Sequence, residues 1–405
     1  MDIVIQKFGG TSVATRELRE KIANKIIQTK VSGKYPVVVV SAIGRKGDSY
    51  ATDTLINLAT SIFSESSSRE LDLLMSCGEI ISAVLMANTI KSKGYDAVAL
   101  TGFQAGIITD SNFGDAEVID VNPKTIIENL KSDKIVIITG FQGITESGDI
   151  TTLGRGGSDT TAAILGEALK SEAVEIYTDV DGVMTADPKI VPEANVIDCL
   201  RYEEVYQMAR DGAKVIHPKA IEIARRSNIT LKIKNTFTNS NGTTINGQFV
   251  ENKIFPKEKT VKNLITAITH KNNIVQVTVN IDNNENNKLL LNELEENAIS
   301  IDMINFFEDR KIFTIEEKDL PILKSILDKN SFDYKLTRNC SKVTIIGHKI
   351  HGVPGVMAKI VRTLSNNNIK ILQSSDSHTT ISCLIDSNNL SKAVKSLHYE
   401  FNLNK

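Results

Sequence analysis

Cysteine is scarce in this 405-residue chain, and the four present, Cys77, Cys199, Cys340 and Cys383, are scattered with no C-x-x-C pair. That usage fits reduced thiols in the cytoplasm rather than a disulfide framework, and it offers no zinc-ligand spacing. An excess of one charge is also missing. The net charge is −2, with basic residues spread along the chain and no arginine-rich arm. No global field therefore draws in nucleic acid or an anionic membrane. Long apolar runs are absent too: Val37-Val38-Val39-Val40 suits a buried parallel strand and is far too short to span a bilayer. The chain opens directly on the strand-like Asp2–Lys7, without the cationic and apolar regions of a secretory signal. The expectation is a cytoplasmic protein with no membrane and no nucleic-acid partner.

What is present is ordinary for a soluble globular chain, 41% apolar and 24% charged, with length for two or three domains. From residue 1 to about 248, apolar strands alternate with amphipathic helices. Strands are expected at 2–7, 36–42, 97–100, 134–139, 173–178 and 229–234. Helices are expected at 15–31, 50–65, 70–92, 123–131, 158–170, 203–211 and 218–227. The alternation predicts an α/β domain, a mostly parallel sheet between helices, with ligands beyond the carboxyl ends of its strands. From Thr238 to Asn263 the texture turns polar, and 249–263 reads as a linker. Beyond it two βαββαβ, ferredoxin-like units are expected: 274–336, and 342–405 lacking its last strand. The free strand 264–269 completes the second unit in this reading, so that the first is inserted within it.

Two glycine-rich segments carry the chemistry. The first, Lys7-Phe8-Gly9-Gly10-Thr11-Ser12-Val13, follows the opening strand. Its glycines free backbone N–H groups to face a phosphate, and Lys7 adds a point charge. The order is not that of a P-loop. The second, Leu153-Gly154-Arg155-Gly156-Gly157-Ser158-Asp159-Thr160-Thr161, leads into a helix, with Ser158 and Asp159 placed as caps. A helix start offers free N–H groups and the positive dipole end to an anion, and Arg155 adds a planar fork for carboxylate or phosphate. Taken singly, the second segment reads better as an ordinary glycine-rich turn and the first as a strand end with a surface lysine.

Together they resemble the amino acid kinase family, and within it the aspartate kinases, over nearly the whole chain. The resemblance runs through Lys7–Val13, Val40-Ser41-Ala42, Ser76-Cys77-Gly78-Glu79, Thr101-Gly102-Phe103-Gln104-Ala105-Gly106 and Gly140-Phe141-Gln142-Gly143. It continues through Leu153–Thr161, Tyr177-Thr178-Asp179-Val180-Asp181-Gly182-Val183, Ala186-Asp187-Pro188 and Gly212-Ala213-Lys214-Val215-Ile216-His217-Pro218. The tail is similar to the paired regulatory ACT domains of the same enzymes.

The resemblance implies an amino acid kinase fold over 1–248 followed by two ACT domains over 264–405. It implies transfer of the ATP γ-phosphoryl to the β-carboxylate of L-aspartate, with Mg²⁺ carried by ATP and no dedicated metal cage. That reaction opens the lysine/diaminopimelate, threonine and methionine branches of amino-acid biosynthesis. Lys7 and Asp159 are the implied catalytic pair. Ser41, Thr52, Glu79, Arg155, Gly156, Gly157 and Ser158 are implied on the aspartate side, Glu79 meeting the α-ammonium and Arg155 the α-carboxylate. Lys7, Phe8, Gly9, Gly10, Thr178, Asp179, Met184, Lys189 and Lys214 are implied on the nucleotide side. Met184 stands where relatives are often aromatic, and Lys189 where arginine is frequent. His217, before Pro218, reads as structural.

For the tail, the resemblance implies an effector site of Val353, Pro354, Gly355, Val356, Gln373, Ser375, Asp376, His378, Thr379 and Thr380. Diaminopimelate, lysine or threonine is the implied effector, the motifs being most similar to the diaminopimelate-sensitive type. A homodimer or larger homo-oligomer through the ACT domains is implied as well. Two rivals stay open at this point: another amino acid kinase, acting on glutamate or acetylglutamate, and a non-catalytic sensor on a dead kinase.

Overall fold

The structure, a computed structural model, describes residues 1–213, 215–247, 264–281, 284–348 and 350–404. The chain forms two compact units. The first is built on an eight-stranded sheet in the order Cys199–Leu200, Thr243–Ile245, Thr230–Asn235, Ala173–Thr178, Ile3–Phe8, Tyr35–Val40, Ile135–Thr139, Ala97–Leu100. Only the Thr230–Asn235/Thr243–Ile245 pair is antiparallel. Val37 to Val40 have no solvent exposure. β-Branched residues buried on both faces suit a central parallel strand, and each full burial contributes about 1.5–3 kcal/mol.

Register decides where the functional loops emerge. Phe8 lies opposite Val40 on one side and Tyr177 on the other, and Val40 lies opposite Thr139. The residues that follow, Gly9, Ser41, Gly140 and Thr178, therefore leave the sheet along one edge, at the carboxyl ends of neighbouring strands. Strand alternation sorts the faces. Phe8 joins Ile22, Ile26, Met86 and Ile90 in a core under the helices Arg16–Val31 and Ser68–Lys91. Lys7 points the other way, toward the helix Gly157–Ala168. The Ser68–Lys91 helix is long and apolar enough to cross a membrane by length and composition, yet half of that stretch is buried inside the protein.

A second sheet of four short strands, Val118–Val121, Ile107–Thr109, Gln142–Ile144 and Ile150–Thr152, feeds directly into the 153–157 loop. Its strands are only three or four residues long, and although Ile and Val make up most of them they are too short for an apolar alternation to mark them in the sequence. Thr243–Ile245, inside the polar stretch that starts at Thr238, also pairs in the main sheet.

The second unit holds a six-stranded antiparallel sheet in the order Asp302–Phe306, Arg310–Glu316, Ile265–Asn280, Asp333–Gly347, Thr380–Asp386, Gln373–Asp376. The strands expected separately at 264–269 and 274–281 run on as one. Bulges around Lys271–Gln276 absorb the polar His270–Asn273 interlude, and Asn273 takes a positive φ of 59°. The strand Asp333–Gly347 likewise serves both halves, passing Asn339 at φ 56°. Each half thus has the last-first-third-second strand order of a βαββαβ unit, and Ile265–Thr269, paired with Thr344–Gly347, fills the last place in the second half. Two segments from inside the first 248 residues, Met184–Asn195 and Arg210–Ala213, pack with this second unit. Ala186, Val191 and Ala194 enter its core, and Thr185 Oγ1 meets the buried His398 Nε2 at 2.9 Å. Lys342 Nζ is held between Asp211 Oδ1 at 2.7 Å and Asp302 Oδ2 at 2.6 Å.

Candidate active site

Lys7 Nζ lies 2.6 Å from Asp159 Oδ1, with both side chains about an eighth exposed. The opening strand and the second glycine loop are thus clamped together from opposite ends of the sequence. Lys7 Nζ also packs over Gly9. At Gly10 a side chain would run into the carbonyl oxygens of Ala42 and Gly44, so only glycine fits this crossing. The second loop needs positive φ at Gly154 (69°) and Gly156 (71°). A side chain at Gly156 would collide with the His217 ring.

The helix begins at Gly157, capped by Gly156 in the left-handed region without a side-chain bond. Ser158 and Asp159 therefore sit inside its first turn, correcting the expectation that they cap it. The left-handed Gly156 lets the chain enter the helix early, and Asp159 is freed to face Lys7. Asp159 Oδ2 accepts from the His217 main-chain N–H at 3.4 Å. His217 precedes the helix Pro218–Arg226, and burial lowers the pKa of its imidazole, favouring the neutral ring.

Ser41 Oγ donates to Ser158 Oγ at 3.0 Å, joining the end of the second strand to the helix tip. Next to it, the Ala42 amide donates to Glu79 Oε1 at 3.0 Å. Glu79 is 2% exposed, and its Oε2 has no hydrogen-bond partner among the described residues. Burial pushes this carboxyl up from 4.5 to about 8, with the Ala42 bond opposing the shift only in part. Gly78 makes the seat: a Cβ there would come within 2.8 Å of both Ala42 Cβ and the Tyr50 carbonyl oxygen. Thr52 begins the helix Thr52–Ile62 and is half-buried. Arg155 is exposed and makes no ion pair among the described residues.

On the other flank, Thr178 Oγ1 donates to Asp179 Oδ1 at 3.3 Å, and Arg45 Nη2 meets Asp179 Oδ2 at 3.3 Å. Phe8 is fully buried and stacks on Tyr177 at 4.6 Å, so only its backbone is free for a ligand. Met184 and Lys189 lie in the segment that packs with the second unit, Met184 against its core and Lys189 exposed. Lys214 lies outside the described residues. The structure thus gathers Lys7, Gly9, Gly10, Ser41, Glu79, Ser158 and Asp159. Sequence reasoning missed the Ala42 amide and Arg45. The loop from Val40 to Asp48 was the available signal for both, but a main-chain donor has no residue-type signature.

A cavity of about 450 Å³ in the second unit is lined by Val353, Pro354, Gly355, Ser375 and Asp376, together with His351. His351 Nδ1 lies 2.9 Å from Asp376 Oδ2, a pairing not foreseen. Of the other residues expected here, Val356 is buried in the core, and Gln373 bonds across the sheet to Met303, Asn305 and Gln276. Thr380 bonds to Ser377 within the hairpin turn that also contains His378 and Thr379.

The amino acid kinase family profile matches residues 2–235, and the ACT domain profile matches 335–399. Aspartokinase 1 of Bacillus subtilis is 41% identical over the full length of both chains. Among solved structures, Escherichia coli aspartokinase III in complex with aspartate and ADP matches 98% of this chain and 99% of its own, at a TM-score of 0.77 and 24% identity. The aspartate kinase of Clostridium acetobutylicum matches 98% of this chain and 100% of its own, at a TM-score of 0.79 and 24% identity. At that identity the two structures speak for the fold alone.

Proposed function

This chain belongs to the amino acid kinase family, as one of its aspartokinases, and from that premise we propose that its active site lies where the two glycine loops meet. The enzyme moves the γ-phosphoryl of ATP onto the β-carboxylate of L-aspartate, releasing ADP and 4-phospho-L-aspartate. The observation that carries the site is the Lys7–Asp159 ion pair at 2.6 Å.

Phosphoryl transfer asks mainly for positioning and for stabilisation of charge on the equatorial oxygens. Lys7, oriented by Asp159, meets the transferring group, while Gly9 and Gly10 present main-chain donors to the phosphates. Thr178 and Asp179, with Met184, Lys189 and Lys214, serve the nucleotide. Mg²⁺ arrives as part of the MgATP substrate and offsets phosphate charge. Aspartate is held by its α-groups. Arg155 and Ser158 take the carboxylate, with Gly156 and Gly157 bringing main chain close and Ser41 and Thr52 lining the pocket. The partnerless Glu79 Oε2 takes the ammonium, which explains an otherwise costly buried acceptor. No general base is required, because the accepting carboxylate is already ionised, so His217 keeps a positioning role.

The cavity around Val353–Gly355 and Asp376 is the proposed effector site, for diaminopimelate, lysine or threonine. The sheet edges Asp302–Phe306 and Gln373–Asp376 are the proposed seams of a homodimer, since unpaired edges invite pairing. The cytoplasm, which holds both substrates, is the proposed compartment.

An ADP-release assay with aspartate, glutamate and acetylglutamate tests the assignment. Turnover is expected with aspartate, and turnover with another acceptor but not aspartate overturns it. Lys7→Ala should abolish turnover in a folded protein; undiminished activity would remove Lys7 from the mechanism. Titrating the three effectors against activity and melting temperature tests the regulatory reading.

A further inference from the structure

Asp72 is a carboxylate with no solvent exposure, on the helix Ser68–Lys91, and it makes no ion pair among the described residues. Its Oδ1 accepts from Thr152 Oγ1 at 2.7 Å. Its Oδ2 accepts from the Thr152 main-chain N–H at 2.8 Å and the Gly114 N–H at 2.9 Å. Three short bonds from two chain segments converge on one side chain, which is how a buried carboxylate stays tolerable.

The partners matter more than the count. Asp72 lies seven residues, two helical turns, before Glu79, and both side chains leave the same face of the helix. Thr152 ends the strand Ile150–Thr152 and passes through Leu153 into Gly154 and Arg155. Gly114 leads into Asp115, whose carboxylate fills the space a side chain at Gly154 would need. Ala116 N–H returns to the Thr152 carbonyl at 2.9 Å, closing the set. On the same helix face, Gln142 Nε2 reaches the Ser76 carbonyl at 3.2 Å. Apolar packing of Met86 and Ile90 secures the far end of the helix, and the directional hydrogen bonds at Asp72 fix its near end against the loop-bearing strand.

We propose that Asp72 is a positioning residue that sets the separation between Glu79 and Arg155, and so the fit of an α-amino-acid head group between them. This rests on the reading that those two residues hold aspartate. Asp72 itself touches no substrate; it acts by tying the helix that carries one receiver to the loop that carries the other.

The test is steady-state kinetics of Asp72→Asn and Thr152→Val in the full-length enzyme, varying aspartate and ATP separately. Amide hydrogen exchange at 153–157 and melting temperature are followed in parallel. Asp72→Asn puts an NH2 donor where a carboxylate oxygen accepted, and a sub-ångström displacement should raise KM for aspartate about tenfold. KM for ATP should stay within about twofold, with faster exchange confined to 153–157. If Asp72→Asn does not fold, Thr152→Val carries the test, since it removes one donor, keeps the main-chain bond and should raise KM for aspartate about threefold. An unchanged KM for aspartate overturns the proposal. So does a rise in both KM values that merely tracks lost stability. Glu79→Gln and Arg155→Ala serve as references: if neither affects aspartate, the substrate reading has failed and the proposal falls with it, whereas effects there but none at Asp72 sink the proposal alone.

Discussion

If Glu79 takes the ammonium of aspartate, binding must ionise a carboxyl that burial has pushed up to about 8 in the empty site. About a tenth of the molecules carry the ionised form at pH 7, and about half at pH 8. Apparent affinity scales with that fraction. The dissociation constant for aspartate should therefore fall about tenfold per pH unit up to 7, and a further fivefold or so by pH 8, flattening beyond. Calorimetry at pH 7 in two buffers of different ionisation enthalpy should register about 0.9 proton released per aspartate bound. Glu79→Gln should bind aspartate weakly and lose this slope. The variant shares the substrate's own titrations, so the difference belongs to Glu79. Stability follows with the opposite sense. An acid whose folded pKa lies above its unfolded value contributes fully below the unfolded value and loses that contribution as pH rises through the folded one. From 4.5 to about 8 the wild type should therefore lose stability relative to Glu79→Gln, by at most about 5 kcal/mol. An affinity that is flat between pH 6 and 8, with no proton release, would refute the reasoning.

Arg155→Ala should raise KM for aspartate between tenfold and a hundredfold or so, with the melting temperature unchanged, because the exposed side chain makes no ion pair among the described residues. Gly10→Ala should cost about 1–3 kcal/mol in urea unfolding and most of the activity, since the obstructing atoms are main-chain oxygens that cannot swing aside. Lys342→Met should destabilise by about 3 kcal/mol, because it strands the buried Asp211 beside Asp302 without their shared cation; loss of less than 1 kcal/mol would show the cluster to be well solvated.

Motifs with an intrinsic backbone or charge requirement were legible from the chain alone. Lys7-Phe8-Gly9-Gly10 and Gly154–Asp159 announce close backbone approach and anion binding in their residue types. The alternation of buried strands and helices announces a parallel sheet, and two βαββαβ patterns announce the tail. What escaped was decided by non-local contact. The small sheet over 107–152 consists of strands too short to carry a periodic signal, and they hold together through pairing with each other. His270–Asn273 has turn composition, yet the neighbouring strand stabilises it as a bulge in one long strand. Ser158 and Asp159 were read as caps, but the left-handed Gly156 starts the helix earlier and places both inside its first turn, while the pairing of Asp159 with Lys7 was already implied by the family resemblance.

The division is a physical one. Propensity, period and special backbone geometry are properties of a few consecutive residues, so the sequence by itself determined the elements, the glycine loops and the chemistry they suit. Which side chains meet depends on register and on the burial that folding creates. Only the tertiary structure could place Ala42's amide against Glu79, leave that carboxyl half-satisfied and raised toward 8, and anchor Asp72 to the strand that leads to Arg155.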